Sequence, residues 1–120
     1  MKSFPMFIRT SGRRVTIVGG GEQAAQKARL VIRTDAEIIV AGFDFDDELR
    51  ALAEEGRVPL ADAHEIHADL FERAAIVFVA TGSAGADGAL HALAKALGAP
   101  VVNVVDRPAL CDALTPSIVD

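Results

Sequence analysis

The chain has 120 residues, 51% hydrophobic and 24% charged, which is enough for one hydrophobic core but not for two independent ones. No apolar stretch approaches the roughly 20 residues that cross a bilayer, and the N-terminus lacks the apolar core of a secretion signal, so we expect a single cytoplasmic domain without a membrane partner. The net charge of −5, the absence of Trp and Tyr and the lone Cys111 argue against a nucleic-acid partner and an internal disulfide.

Strand and helix signals alternate along the chain. Apolar, β-branched runs predict strands over 15–18, 36–41, 58–61, 74–80 and 100–106. Segments with helical spacing of apolar residues lie between them, over 24–33, 46–55, 66–73 and 84–97. The run 74–80 is apolar throughout, as a central parallel strand requires, whereas Pro59 places its strand near an edge. This order predicts an α/β fold, a Rossmann-like doubly wound parallel sheet of about five strands.

The first strand stops on three glycines and passes at once into helix-forming sequence. Read as G-x-G-x-x-A, Gly19 makes the sharp turn, Gly21 lets the backbone approach a phosphate, and Ala24 packs the helix closely on the strand. A helix N-terminus reached in this way can hold a pyrophosphate. The pattern predicts dinucleotide binding, and the alternative is a glycine-rich turn without a ligand.

Ligands of doubly wound sheets lie beyond the carboxyl ends of the strands. The residues expected around one crevice are therefore Gly19 to Gln23, Gly42 to Asp44, Thr81 to Ser83, and Asp106. The acidic residue that usually holds a ribose 2′-hydroxyl is replaced by Ala41-Gly42, although Asp44 is near enough to substitute for it. Because no arginine stands there to bind a 2′-phosphate, NAD is favoured over NADP.

Asp106 is the candidate catalytic residue, since it follows the fifth strand and a partly shielded carboxylate there can act as a general base. A helix cap or a salt bridge is the alternative interpretation. Asn103, earlier on the same strand, could orient a ligand or be a satisfied polar residue of the core.

His64 and His67 are three residues apart, which superficially resembles metal-ligand spacing, but no third ligand accompanies them, so we predict no metal site. His91 is predicted to lie at the surface.

The basic residues are unevenly distributed. Residues 1–33 contain seven of the twelve Lys and Arg and one acid, Glu22. We expect a basic patch beside the phosphate-binding turn that suits an anionic ligand, the alternative being solvated side chains on a helix. The seven are Lys2, Arg9, Arg13, Arg14, Lys27, Arg29 and Arg33.

Several short motifs occur together along nearly the whole chain. They are Phe4-Pro5-Met6-Phe7, Val18-Gly19-Gly20-Gly21, Lys27-Ala28-Arg29-Leu30, Ala80-Thr81, Asn103-Val104-Val105-Asp106, Leu110-Cys111-Asp112 and Pro116-Ser117-Ile118. This combination resembles the N-terminal domain of siroheme synthase, in the precorrin-2 dehydrogenase and sirohydrochlorin ferrochelatase family.

The resemblance implies NAD-dependent oxidation of precorrin-2 to sirohydrochlorin, followed in bifunctional members by iron insertion. It implies that Gly19, Gly20, Gly21, Glu22 and Gln23 hold the pyrophosphate, that Phe43 and Asp44 border the adenosine ribose, and that Asp106 acts in both reactions. Thr81 and Asn103 complete the expected cofactor contacts. After Ala80-Thr81 this chain has Gly82-Ser83, where the family commonly has an acidic or amide residue.

The resemblance also implies an anionic tetrapyrrole as substrate and a homodimer in the full-length protein. The family continues past Pro116-Ser117-Ile118 into a dimerisation region that completes the tetrapyrrole cleft. This chain ends at Asp120, either as an excised NAD-binding domain or as a natural short form, and in both cases we expect it to bind NAD and to catalyse poorly in isolation.

A regulatory module that senses NAD or ATP without catalysis is the alternative function. Such modules usually keep an acid at the end of the second strand, which is Ala41-Gly42 here, and have no use for the segment 111–118. A member of the family with only one of the two activities also remains open.

Overall fold

The computed structural model describes residues 3–62 and 68–115. The strands are β1 (Arg14–Val18), β2 (Glu37–Gly42), β3 (Leu60–Asp62), β4 (Ala74–Val79) and β5 (Val102–Val104). The helices are α1 (Glu22–Val31), α2 (Asp47–Glu54), α3 (Asp69–Glu72) and α4 (Ala84–Ala96), and a 3₁₀ turn spans Pro108–Leu110. Each predicted element is present with shifted ends. The predicted helix over 66–73 is shorter, and its residues 66 and 67 lie outside the described part.

The five strands form one parallel sheet in the order β3-β2-β1-β4-β5. This confirms the doubly wound fold, with β3 at an edge and β4 inside the sheet. The chain moves outward from β1 to β3 and then crosses to β4, so the loops that follow β1 and β4 diverge. In this topology the crevice lies at the carboxyl ends of those two strands. No helix within the described ranges is long and apolar enough to span a membrane.

The sheet is covered on both faces. One face packs against α1 and α2, and its buried residues include Ile17, Val40, Ala24, Ala28 and Leu49. The other face packs against α3 and α4, and its buried residues include Val77, Val79, Val102, Phe71 and Ala94. The small residues of α1 let that helix lie close to β1, which places its N-terminus at the carboxyl edge of the sheet.

The outer edge of β5 is closed by the chain that follows it. The Cys111 thiol accepts a hydrogen bond from Val104 N at 3.2 Å and lies 3.3 Å from Val104 O. Asp112 N donates to Val102 O at 2.8 Å, and Asp112 Oδ2 accepts from Val102 N at 2.9 Å. Lys95 Nζ binds the same carboxylate oxygen at 2.7 Å. The backbone N–H and C=O groups at the outer edge of β5 therefore have hydrogen-bond partners without a further strand.

Removing the Asp112 carboxylate is expected to destabilise the fold in a pH-dependent way. Partial burial opposes ionisation, but the hydrogen bonds from Lys95 and Val102 N and the charge of Lys95 outweigh it and lower the pKa of Asp112. A lowered folded pKa gives stability that is present above about pH 4 and is lost as the pH falls through the folded value.

Asp112→Ala should therefore lower the free energy of unfolding by about 1–2 kcal/mol at pH 7, since Val102 N loses its acceptor. Urea unfolding of both proteins from pH 7 to pH 2.5 should show the difference narrowing below about pH 4. A difference that is constant over this range would contradict the assigned role of the carboxylate.

Candidate functional site

The corner between β1 and α1 is tightly packed against its neighbours. Gly19 has φ +147°, and a Cβ on it would lie 2.1 Å from Ala80 O. A Cβ on Gly20 would lie 2.3 Å from Phe43 O. Gly19 therefore has the turn-forming role that the fingerprint predicts. Gly20 must be a glycine because the loop that contains Phe43 lies against it, a contact that the sequence did not indicate.

Gly21 is different, because a Cβ on it would meet no atom within 4 Å. Gly21 is the N-cap of α1 and contributes no side-chain cap, so the first amide groups of the helix lack an intrahelical partner and face this open space. The Glu22 carboxylate is engaged by Arg29 at 3.3 Å. Unpaired amides and the positive end of the helix dipole together favour an anion. The corner fits the pyrophosphate of a dinucleotide.

The loop after β2 lies against the same corner. Asp46 N donates to Gly20 O at 2.7 Å, and the Asp46 carboxylate caps α2 by accepting from Glu48 N at 2.8 Å. Phe43 is 65% exposed, and Asp44 is exposed with φ +50°. The two residues predicted to border the ribose are therefore accessible at the carboxyl edge of the sheet, next to the glycine turn.

The loop after β4 is organised by a buried carboxylate that sequence reasoning missed. Asp87, 4% exposed in the first turn of α4, accepts from Thr81 N at 3.1 Å and from Thr81 Oγ1 at 2.5 Å. Thr81 Oγ1 also accepts from Ser83 N at 3.1 Å. The Thr81 hydroxyl, predicted to bind the cofactor, is thus used inside the loop. The sequence does show an acidic residue, Asp87, near the start of the predicted helix 84–97. That position does not distinguish a buried carboxylate from a solvated one.

Asp106 lies beside the N-terminus of α1. Gln23 Nε2, on the second residue of that helix, donates to Asp106 Oδ2 at 3.1 Å. The expected partial shielding of Asp106 is wrong: β5 ends at Val104, and Asp106 sits exposed in the turn that follows. Of the described residues, Asp44 and Asp106 are the two non-glycine residues with positive φ, +50° and +64°. Both lie at this edge, and such strain occurs most often at functional sites.

Asn103 is not at the carboxyl end of β5 but in its middle. It is 6% exposed, and Nδ2 donates to Ala113 O at 2.8 Å. The amide therefore holds the segment after β5 against the sheet, as a satisfied polar residue of the core. Its role in binding the cofactor stays a prediction.

The expected basic patch beside the glycine turn is wrong for Arg13 and Arg14, and Arg29 is paired with acidic side chains. Arg13 precedes β1 and Arg14 is its first residue, so both lie at the amino edge of the sheet, where they line a hollow of about 520 Å³. Arg14 also pairs with Glu37 at 2.9 Å. Arg29 pairs with Glu48 at 2.7 Å in addition to Glu22. A strand carries the chain from one edge of the sheet to the other, so basic residues at the start of β1 cannot lie at its carboxyl end.

Lys27 lies on α1, on the side of the helix that packs against the sheet. It is 7% exposed, with Nζ 3.4 Å from Thr115 Oγ1 and 5.6 Å from the centre of the Phe78 ring. Burial lowers the pKa of Lys27, and electrostatic interactions with Cys111 and Asp106 oppose that shift. This ammonium group stabilises the segment after β5.

His64, His67 and the motif Pro116-Ser117-Ile118 lie outside the described residues. Within 3–62 and 68–115, no group of three or more His, Cys, Asp or Glu could hold a metal ion. His91, expected at the surface, is half-buried on α4.

The chain matches, over residues 6–117, the protein family described as "Putative NAD(P)-binding". The siroheme synthase of Pseudomonas putida is 42% identical over 120 residues, which cover all of this chain and 26% of that protein. That of Pseudoalteromonas atlantica is 40% identical with the same coverage. The chain therefore spans about a quarter of the length of the curated relatives it matches.

A solved structure with the same fold is "SirC, precorrin-2 dehydrogenase". It superimposes with a TM-score of 0.76 at 19% identity, over 96% of this chain and 55% of that chain. This likeness shows that the two proteins share a fold, while the sequence matches confirm the family resemblance that the motifs indicate.

Proposed function

Because this chain belongs to the NAD(P)-binding family that it matches over residues 6–117, we propose that it is the NAD-binding part of a precorrin-2 dehydrogenase. The enzyme oxidises precorrin-2 to sirohydrochlorin in siroheme biosynthesis, and a bifunctional member of the family would insert iron in a second step. The observation that carries the proposal is the contact between Gln23 on the open turn of α1 and the Asp106 carboxylate. It brings an anion-binding helix terminus and a candidate base into one site.

The chain's contribution to binding is made largely by its backbone. The amides from Gly20 to Gln23 hold the pyrophosphate, and the bare Cα of Gly21 lets it approach. Phe43 and Asp44 border the adenosine ribose from their exposed loop. Asp87 fixes the loop that carries Thr81 and so shapes the wall after β4.

The chain's contribution to chemistry is Asp106. The oxidation removes a hydride and a proton from the substrate. NAD⁺ bound at the glycine turn supplies the hydride acceptor. Asp106 accepts the proton, as an exposed carboxylate within reach of a bound substrate can. In the iron-inserting step the same carboxylate accepts pyrrole protons.

The substrate is an anionic tetrapyrrole. Since Arg13 and Arg14 lie at the other edge of the sheet, they do not bind its carboxylates at this crevice. Arg107, exposed and next to Asp106 in the chain, is the cation that we propose for that role. We further propose that the full-length protein is a cytoplasmic homodimer.

The loop after β2 predicts a preference for NAD over NADP. This loop and the first turn of α2 carry Asp44, Asp46, Asp47 and Glu48. The neighbouring cations are paired, Arg29 with Glu48 and Glu22 and Arg50 with Asp47. A 2′-phosphate would meet carboxylates and no free cation, which should cost at least about 1.4 kcal/mol, or tenfold in affinity. Calorimetry of the chain with each nucleotide checks this, and equal dissociation constants would contradict it.

The activity is tested with the full-length protein, precorrin-2 and NAD⁺, by following NADH absorbance. We expect NADH to form with a stoichiometry of one per precorrin-2 oxidised to sirohydrochlorin. Nucleotide binding without NADH formation in that protein would favour a sensing module instead.

A further inference from the structure

Asp106 needs a partner that fixes its orientation. It is exposed and lies two residues beyond the last residue of β5. A general base must meet the proton that it removes at hydrogen-bond distance and in a suitable direction. A carboxylate on an exposed turn rotates about its side-chain bonds unless a neighbour restrains it.

The structure shows one side chain that restrains it. Gln23 Nε2 donates to Asp106 Oδ2 at 3.1 Å across 83 positions of sequence. No hydrogen bond to Oδ1 is made by the residues within 3–62 and 68–115, so that oxygen is the one available for a proton. Gln23 is also half-buried in the first turn of α1, which restricts its own rotation.

We propose that Gln23 is a positioning residue for Asp106: its amide holds Oδ2 and leaves Oδ1 to act on the substrate. The inference rests on the proposed dehydrogenase function and deepens it. It separates two tasks within α1, since the backbone of the first turn binds the cofactor and the Gln23 side chain serves the base.

The chemistry of an amide suits this task. It is neutral, so it orients a carboxylate without placing beside it a positive charge, which would weaken the affinity of the carboxylate for a proton. It also has both a donor and an acceptor, and Gln23 Oε1 is buried with no hydrogen-bond partner among the described residues. The amide therefore holds the carboxylate through its donor, and no competing hydrogen bond to Oε1 from the described residues draws it away.

The test compares four substitutions in the full-length protein: Gln23→Met, Gln23→Glu, Asp106→Ala and the double change Gln23→Met with Asp106→Ala. Methionine keeps the length of the side chain without the donor, and glutamate keeps the shape but cannot donate when ionised. For each protein, NAD binding is measured by calorimetry, and kcat and KM for precorrin-2 are measured by NADH formation.

We expect both Gln23 variants to bind NAD within about threefold of wild type, because the pyrophosphate contacts are made by backbone amides. Their kcat should fall by about 10- to 100-fold with little change in KM, the usual size of a positioning defect. In the Asp106→Ala background, Gln23→Met should cause no further loss, because residues that act as a unit are not additive.

Three results would overturn the inference: a Gln23→Glu protein with the wild-type kcat, a Gln23→Met defect that appears undiminished in the Asp106→Ala background, or a loss confined to NAD affinity. Each of these leaves the wild-type enzyme active. A wild-type protein that forms no NADH would overturn the proposed function itself, and this inference with it, so the two failures are distinguishable.

Discussion

Asp106→Asn in the full-length protein is expected to reduce kcat for NADH formation by about 10²- to 10⁴-fold, the usual contribution of a general base. Asparagine is the informative replacement because it adopts positive φ more readily than alanine does, and Asp106 has φ +64°. Its side-chain oxygen can still accept the hydrogen bond from Gln23. The variant therefore removes the ability to take a proton while preserving shape.

The controls for this variant are folding and cofactor affinity. Urea unfolding should give a free energy within about 0.5 kcal/mol of wild type, and the dissociation constant for NAD should be unchanged within about twofold, since no nucleotide contact is assigned to Asp106. A variant that keeps near wild-type kcat would remove Asp106 from the mechanism. One that unfolds, or loses NAD, would show that the carboxylate is structural.

The second large effect distinguishes the roles of two glycines in the same turn, Gly19 and Gly21. Gly19→Ala should lower the free energy of unfolding by about 2–5 kcal/mol, because its Cβ would lie 2.1 Å from Ala80 O in a backbone with φ +147°. Gly21→Ala should fold with a loss of at most about 1 kcal/mol, because the space around its Cβ is open and alanine is only a poorer N-cap than glycine. It should nevertheless weaken NAD binding by about tenfold or more, since that space is where the pyrophosphate lies.

These two variants are matched controls for one another. Chemical unfolding and calorimetry on both proteins should show stability lost in one and affinity lost in the other. If Gly21→Ala bound NAD with the wild-type affinity, the phosphate would not lie on this turn. If Gly19→Ala had the wild-type stability, the corner would be less tightly packed than the structure indicates.

The spacing of apolar residues and the positions of glycine and proline predicted the fold because both act over short stretches of sequence. The apolar run 74–80 and the glycines at 19–21 determine a central strand and a tight turn whatever surrounds them. The location of Asp106 at the carboxyl edge followed from the same reasoning, since a residue that ends a parallel strand must lie there.

The remaining features depend on how distant segments pack. The contact between Gln23 and Asp106 joins residues 83 positions apart and requires the particular placement of α1 over β1. The burial of Asp87 depends on how α4 meets the end of β4. The error over the arginines is different in kind, because Arg13 and Arg14 lie at the start of β1 and the topology alone would have placed them at the opposite edge.

The most direct test of the account is a titration of the ¹⁵N-labelled chain with NAD, followed by amide chemical shifts. If the pyrophosphate binds at the glycine turn, the largest changes occur at Gly20, Gly21, Glu22 and Gln23, with smaller changes at Phe43, Asp44 and Asp106. Changes centred on the arginine-lined hollow at the amino edge, with the amides of the glycine turn unaffected, would contradict it.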